Sequence, residues 1–298
     1  MPEGDTIFRS ARALHRALAG RAITRFEAGY ARLARADDDY TIAGRTVEHV
    51  EARGKWLLIF LSDDLILLTH MLMNGSWHLY RPGERWRRQK RDMRLVIETA
   101  EWVAVGFTVP VAEFHTSASL IRKTGVMTLG PDLLKQEFDR DQAIAKIRER
   151  RKEEIAVVLL NQHVLAGIGN VFKSEICFVC RVHPFCRVET LTEAQIENIV
   201  DVSRRFLKAN VSEENDTGAR RTMSSLNRNV RLWVYGRRGE PCRRCGAAIL
   251  MRKQGSEART TFWCPNCQIM ETSWDQARVA APRVLDGASH GRRGTRFR

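Results

Sequence analysis

Two Cys-x2-Cys pairs, Cys242 with Cys245 and Cys264 with Cys267, stand eighteen residues apart near the end of this 298-residue chain. Thiolates at that spacing close a tetrahedral zinc site, and with sulfur at every vertex no position is left for substrate. The expected Zn2+ is therefore structural. Each pair lies in a knuckle-like context, Pro-Cys-Arg-Arg-Cys-Gly and Cys-Pro-Asn-Cys, and the stretches from Ile249 to Lys253 and Arg259 to Trp263 read as the strands of a hairpin between them. Cys177, Cys180, His183 and Cys186 can be written as a second metal site. Cys177 and Cys180, however, follow a helical apolar pattern, and small thiols are common in cores.

The hairpin is strongly basic. From Gly218 to Thr260 eleven Arg or Lys residues face only Glu240 and Glu257, a net +9, against +14 for the whole chain. With 44% hydrophobic residues the chain is no disordered basic tail, and a polyanion, most simply nucleic acid, is the expected partner. Apolar runs such as Trp56 to Leu61 fall far short of the ~18 residues a membrane span needs. The first residues carry acids where a secretory signal carries positive charge. The expectation is a cytoplasmic, nucleoid-associated monomer with no membrane partner.

Texture divides the chain into four. In 1–130, a helix from Asp5 to Leu18, capped by Asp5 or Thr6 and ended by Gly20, precedes short apolar runs at Trp56–Leu61, Leu65–Leu72, Ser76–Tyr80, Leu95–Thr99 and Trp102–Phe107. These read as an antiparallel sandwich or barrel. Leu129-Gly130-Pro131-Asp132 is the boundary. Region 131–215 reads as helical over Asp139–Glu149, Glu153–Leu160, Asn170–Cys177 and Thr192–Ala209, with Thr192 and Gln195 as a capping box. Before the third of these helices, Gly167 and Gly169 would expose amides at an N-terminus capped by Asn170, an arrangement suited to a phosphate, although loop glycines also serve as plain turn residues. Region 216–275 holds the basic segment and the zinc hairpin, and 276–298 reads as a disordered basic tail.

Several motifs now stand in order: Pro2-Glu3-Gly4, Arg53-Gly54-Lys55-Trp56-Leu57-Leu58, Leu129-Gly130-Pro131, Asn161-Gln162 through Gly167-Ile168-Gly169-Asn170-Val171 with Ser174-Glu175, and Val234-Tyr235-Gly236-Arg237 leading into Pro241-Cys242. Over about residues 2 to 274 the chain resembles the formamidopyrimidine-DNA glycosylase and endonuclease VIII family of base-excision repair enzymes. The resemblance implies an α+β multidomain fold: an N-terminal β-sandwich with a flanking helix, a helix-two-turn-helix module and a four-cysteine zinc-finger β-hairpin, with damaged DNA in the cleft. Double-stranded DNA is the expected partner, with single-stranded DNA as a second form.

The same resemblance assigns roles. The amine of Pro2, exposed once Met1 is removed, would form an imine with C1′; an α-amine titrates ~2.5 units below lysine and is far more often unprotonated at neutral pH. Glu3 would be the general acid/base, Lys55 a phosphate contact that helps proton transfer, Arg259 a phosphate clamp supporting the second elimination, and Asn170 a phosphate ligand. Met73, with Leu72 and Asn74, would fill the place of the extruded base; a core position for Met73 is the bland alternative.

Departures from the family pattern bear on the lesion. Gly4 is closer to endonuclease VIII, Asp5 replaces a proline and Thr6 a second glutamate. Val109 to Phe114 occupies the region of a missing Arg-Arg-Phe cluster, and His163 stands where purine-directed members carry lysine. The expected activity is a bifunctional glycosylase and AP lyase acting by β,δ-elimination on oxidised pyrimidines. Oxidised purines are the runner-up, and an inactive damaged-DNA-binding module or a zinc-ribbon RNA-processing or transcription factor are the readings from other classes.

Overall fold

The computed structural model describes residues 2–122, 124–212, 219–224, 227 and 229–270. The tail assigned to 276–298 lies outside them. Apolar residues at helical spacing make the first element, α1 (Gly4–Leu18), which buries Ile7, Leu14 and Leu18. Each such side chain removed from water stabilises the fold by roughly 1.5–3 kcal/mol. Gly20, at φ +76°, takes the left-handed position after the helix. The expected cap is corrected: Glu3 holds the N-cap position, and neither Asp5 nor Thr6 caps, because both lie inside the helix and turn to a distant arginine.

After α1 come β1 (Ile23–Ala28), α2 (Ala31–Tyr40), β2 (Val47–Arg53), β3 (Trp56–Leu61), β4 (Leu65–His70), β5 (Ser76–Tyr80), β6 (Met93–Thr99), β7 (Val103–Phe107) and β8 (Val111–His115). They form two four-stranded antiparallel sheets, ordered β1-β6-β7-β5 and β2-β3-β4-β8. Leu57, Ile59, Leu65 and Leu67 from one sheet meet Leu95, Ile97 and Ala104 from the other, with α1 closing the core. The alternate residues Leu58, Ile66 and Leu68 point to the opposite face, where Leu120 of α3 (Ser117–Ile121) and Val126 of α4 (Thr124–Met127) cover them. Burial on both faces is why β3 and β4 are unbroken apolar runs. The three short helices α2, α3 and α4 correct the all-β reading of this region. Helices this short owe their stability to tertiary packing, here Leu33 in the sandwich core, rather than to local propensity.

The second half is helical, as expected: α5 (Arg140–Arg148), α6 (Ile155–Leu160), α7 (Asn170–Val179) and α8 (Glu193–Val211) share a core of Ile147, Leu159, Phe172, Ile199 and Leu207. Thr192 and Gln195 form their capping box. The hairpin β9 (Leu250–Gln254) and β10 (Arg259–Trp263) completes the fold, with β10 laid along α7, where the Phe262 amide donates to Ser174 Oγ at 3.4 Å. No helix among the described residues is long and apolar enough to cross a membrane.

Candidate active site and zinc centre

Glu3 is fully buried, and its carboxylate reaches the start of α7, where it accepts from the amides of Val171 at 2.8 Å, Gly169 at 3.1 Å and Phe172 at 3.3 Å. The sequence expectation at this loop is corrected in two respects. Gly169 is the N-cap of α7 and Asn170 its first helical residue. The amides expected to face a phosphate are spent inside the protein, Gly169 on Glu3 and Gly167 on Gln162 Oε1 at 3.0 Å. An anion does sit on the positive end of the helix, but it belongs to the chain itself. Glycine is required here for closeness: a Cβ at Gly169 would lie 2.3 Å from Glu3 Cδ, and one at Gly4 would lie 2.7 Å from Gly167 Cα.

Lys55 is placed by the tight β2–β3 turn. Gly54 adopts φ +57°, and its amide donates to Asp132 Oδ2 at 2.7 Å, tying the hairpin tip to the segment that leads into α5. Burial pushes the Lys55 ammonium down to about 8, with Glu3 drawing it up and Arg259 and Arg220 lowering it again. Lys55 thus lies in the field of Glu3. At the end of β4, burial and the Lys55 charge hold His70 near 4, so its ring is neutral, and Nδ1 accepts from Leu72 N at 3.0 Å. That bond supports Leu72 at φ +45°. Leu72 and Met73 are 49% and 51% exposed, and Asn74 is exposed with them, so the core alternative for Met73 does not hold.

Asp5 and Thr6 have an unanticipated partner. Arg220 grips both oxygens of Asp5 at 2.9–3.0 Å, donates to Thr6 Oγ1 at 2.9 Å and lies 3.8 Å from Glu3. Burial opposes the Arg220 charge, but Glu3 and Asp5 outweigh it and raise its pKa. Pro2 borders a cleft of about 600 Å³ whose walls include Thr6, Arg9, Val171, Arg220 and Tyr235.

The helix α7 also holds the finger. Buried Glu175 accepts from the amides of Trp233, Val234 and Tyr235 at 2.8–2.9 Å and from Thr222 Oγ1. Asn170 Nδ2 donates to Thr260 Oγ1 at 3.0 Å. Arg259, next to Thr260, pairs with Glu257 and reaches Met73 Sδ, in the turn after β4, at 3.9 Å. One helix therefore joins Glu3 from the chain start to Arg259 of the hairpin. Asp132, Arg220 and a buried Lys173 are additional members of this neighbourhood that sequence reasoning missed. A motif scan has no signal for them, because Asp132 lies 78 residues from Gly54 and Arg220 lies 215 from Asp5.

The ligand atoms of Cys242, Cys245, Cys264 and Cys267 lie within 4.8 Å of one another, with Sγ pairs at 3.4 and 3.9 Å. Zn–S bonds of about 2.3 Å in a tetrahedron put sulfurs roughly 3.8 Å apart. These four thiols fit one structural zinc ion. Cys177 is fully buried in the helical core, and the four finger cysteines are the only metal-competent group of three or more among the described residues.

Three comparisons agree with this arrangement. Residues 1–109 match the formamidopyrimidine-DNA glycosylase N-terminal domain, 129–222 its H2TH domain and 239–269 a zinc finger found in FPG and IleRS. The chain is 40% identical over 271 residues to a probable endonuclease 8 2 of Streptomyces coelicolor, covering 90% of this chain and 94% of the relative. It is 38% identical to the DNA-(apurinic or apyrimidinic site) lyase Nei2 of Mycolicibacterium smegmatis, covering 90% and 99%. Among solved structures, Lactococcus lactis formamidopyrimidine-DNA glycosylase bound to AP-site DNA superposes with a TM-score of 0.75 at 25% identity, covering 90% of this chain and all of that one. The same enzyme bound to DNA containing an oxidised pyrimidine gives 0.76 at 26%, with the same coverage.

Proposed function

The chain belongs to the formamidopyrimidine-DNA glycosylase and endonuclease VIII family, and on that footing we propose that it is a bifunctional DNA glycosylase and AP lyase that excises oxidised bases, pyrimidines foremost, from damaged DNA. The observation that carries the reading is the clamp of Glu3 on the first turn of α7, which holds Pro2 at the mouth of the arginine-lined cleft. Removal of Met1 leaves Pro2 with a secondary amine at that position. Its lone pair attacks C1′ as the base departs with the glycosidic electrons and takes up a proton; the nitrogen then loses its own proton, the C1′–O4′ bond breaks with O4′ protonated by Glu3, and the resulting iminium acidifies the C2′ proton. Loss of that proton expels the 3′ phosphate, and a second elimination expels the 5′ phosphate. Glu3 is the proton-transfer group, and Lys55, Arg259 and Asn170 hold phosphates. Met73, with Leu72 and Asn74, enters the stack; an exposed apolar turn opposite Arg259 suits that task.

Two features favour pyrimidine lesions. The segment in place of the Arg-Arg-Phe cluster runs into an edge strand, β8, where Val109 O accepts from Tyr30 OH and Phe114 packs on Phe26, so it offers no arginine to the opposite strand. His163 is bonded to Thr128 rather than directed to a base. The test is borohydride trapping on abasic-site duplex, followed by cleavage of defined lesions. The expected result is a covalent adduct lost in Pro2→Gly, and faster excision of thymine glycol than of 8-oxoguanine. Binding without an adduct in the untagged protein would refute catalysis, and the reverse lesion order would refute the pyrimidine preference.

A further inference from the structure

Lys173 is a buried charge that the catalytic reading does not use. Its side chain is fully buried and, among the described residues, its Nζ is the one buried ammonium with no hydrogen-bond partner. Such a group is costly to a fold and calls for a ligand that completes it. A second orphan stands one turn earlier on the same face of α7: Asn170 Oδ1 is buried without a partner, while Nδ2 donates to Thr260 Oγ1. The threonine hydroxyl can donate as readily as accept, so a half-turn of the Asn170 amide keeps that bond and puts an NH2 donor where the orphaned oxygen was.

The surroundings define what this pair of donors would bind. The same helical turn holds Glu3 on the Val171 and Phe172 amides, and β10 with Arg259 lies along the helix. Burial pushes the Lys173 ammonium down to about 8; Cys177 pulls it up, Arg259 lowers it and Glu3 raises it, so the amine shares the field of both site residues. Lys55, Arg259 and Lys173 then stand against two carboxylates, Glu257, which pairs with Arg259, and Glu3, whose oxygens are already taken by amides, which leaves one positive charge unmatched. The deficit is of negative charge and of acceptors, which a phosphate supplies and a neutral base does not.

We infer that Lys173, with the Asn170 amide, forms a seat for a DNA backbone phosphate beside the extruded nucleotide, uncovered when DNA parts the contact between Arg259 of the hairpin and Met73. The inference rests on the glycosylase reading and adds a binding residue to it.

The test measures affinity for a duplex carrying a tetrahydrofuran abasic-site analogue, and for the same duplex undamaged, across a salt series. Lys173→Met keeps the stem and removes the charge. It is expected to bind the abasic duplex about ten- to hundredfold more weakly, as loss of a charged hydrogen bond implies. It should also reduce the slope of log Kd against log salt by about one phosphate's worth, with a melting temperature at or above wild type. Affinity for undamaged duplex should change far less. Lys173→Gln is measured alongside as a second neutral variant, and either variant decides the matter. An unchanged slope and affinity in a folded variant would overturn the inference. So would equal losses on both duplexes with a lowered melting temperature, since that marks a packing role. If the wild-type protein itself neither prefers the abasic duplex nor forms a trapped adduct, the glycosylase reading fails instead.

Discussion

Replacing Glu3 by glutamine tests the junction on which the site is built. The carboxylate accepts three amides, Val171 on Oε1 and Gly169 and Phe172 on Oε2. Glutamine has the same shape but offers one oxygen and one NH2. With its oxygen toward Gly169 and Phe172, its NH2 confronts the Val171 amide, so a donor meets a donor where 2.8 Å now separates a bonded pair. Loss of a charge-assisted bond costs about 1.5–3 kcal/mol, and loss of the negative charge at the end of a buried helix adds up to ~2 kcal/mol. Relief from desolvating a carboxylate offsets part of this, leaving an expected loss of about 2–4 kcal/mol, or roughly 5–10 °C in melting temperature for a domain of this size. Glu3→Ala leaves all three amides without an acceptor and should fall further. The assay is thermal unfolding by circular dichroism on wild type, Glu3→Gln and Glu3→Ala, all loaded with zinc. A Glu3→Gln protein melting within about 2 °C of wild type, or one less stable than Glu3→Ala, would refute the clamp as a stabilising contact whatever its effect on catalysis.

Burial depresses Lys55 from its ordinary value to about 8 in the folded chain. Between that value and ~10.5 the unfolded chain binds more protons, so the stability contribution of this residue rises with pH across the window, while its charge for DNA disappears. Affinity for abasic duplex, read by fluorescence anisotropy, should therefore weaken from about pH 7 to pH 9, and Lys55→Arg should flatten that dependence except for the part due to Lys173. Zinc removal by a strong chelator should unfold the hairpin around Phe178, Val234, Ile249 and Phe262 and abolish trapping through loss of Arg259. A zinc-to-protein ratio of one before treatment, and recovery when zinc is restored, are the checks; full activity after complete removal would show that the finger does not position Arg259.

The limits of β3, β5 and β10 agree with those expected because turn residues or sharp changes in polarity bound each strand, whereas α2 has no comparable signal. In Ala31–Tyr40 it is the contact of Leu33 with the sandwich, a tertiary effect, that stabilises a helix. The zinc ligands are legible because their chemistry is carried by spacing alone. The roles proposed for Pro2 and Glu3 come only through the accompanying motifs, since nothing local marks an amine and a carboxylate at a chain start as reactive. The loop glycines show where such reasoning overreaches. The glycine at the helix start does help make an anion site, but whether the anion is a ligand or a side chain of the same protein depends on a contact between residues 3 and 169, which no local pattern encodes.

That contact explains why the site needs both halves of the chain. The sandwich core and the helical core share no residue, so each half has a hydrophobic core of its own. Between them lie the Gly4 amide on the Gly167 carbonyl at 2.8 Å, Glu3 on α7 and Asp132 on the hairpin that carries Lys55. Pro2 precedes these contacts and has no strand or helix of its own, so its position is inherited from Glu3 and Gly4. The backbones approach so closely at Gly4 and Gly169 that a methyl group at either would drive the chain start off α7 while leaving both cores filled. The geometry of the amine is therefore a property of the interface between domains rather than of the sandwich that carries it. The exposed turn at Met73 and the finger residue Arg259 meet at 3.9 Å, so on the proposed reading a duplex that separates them finds the chain start already held on α7 by Glu3.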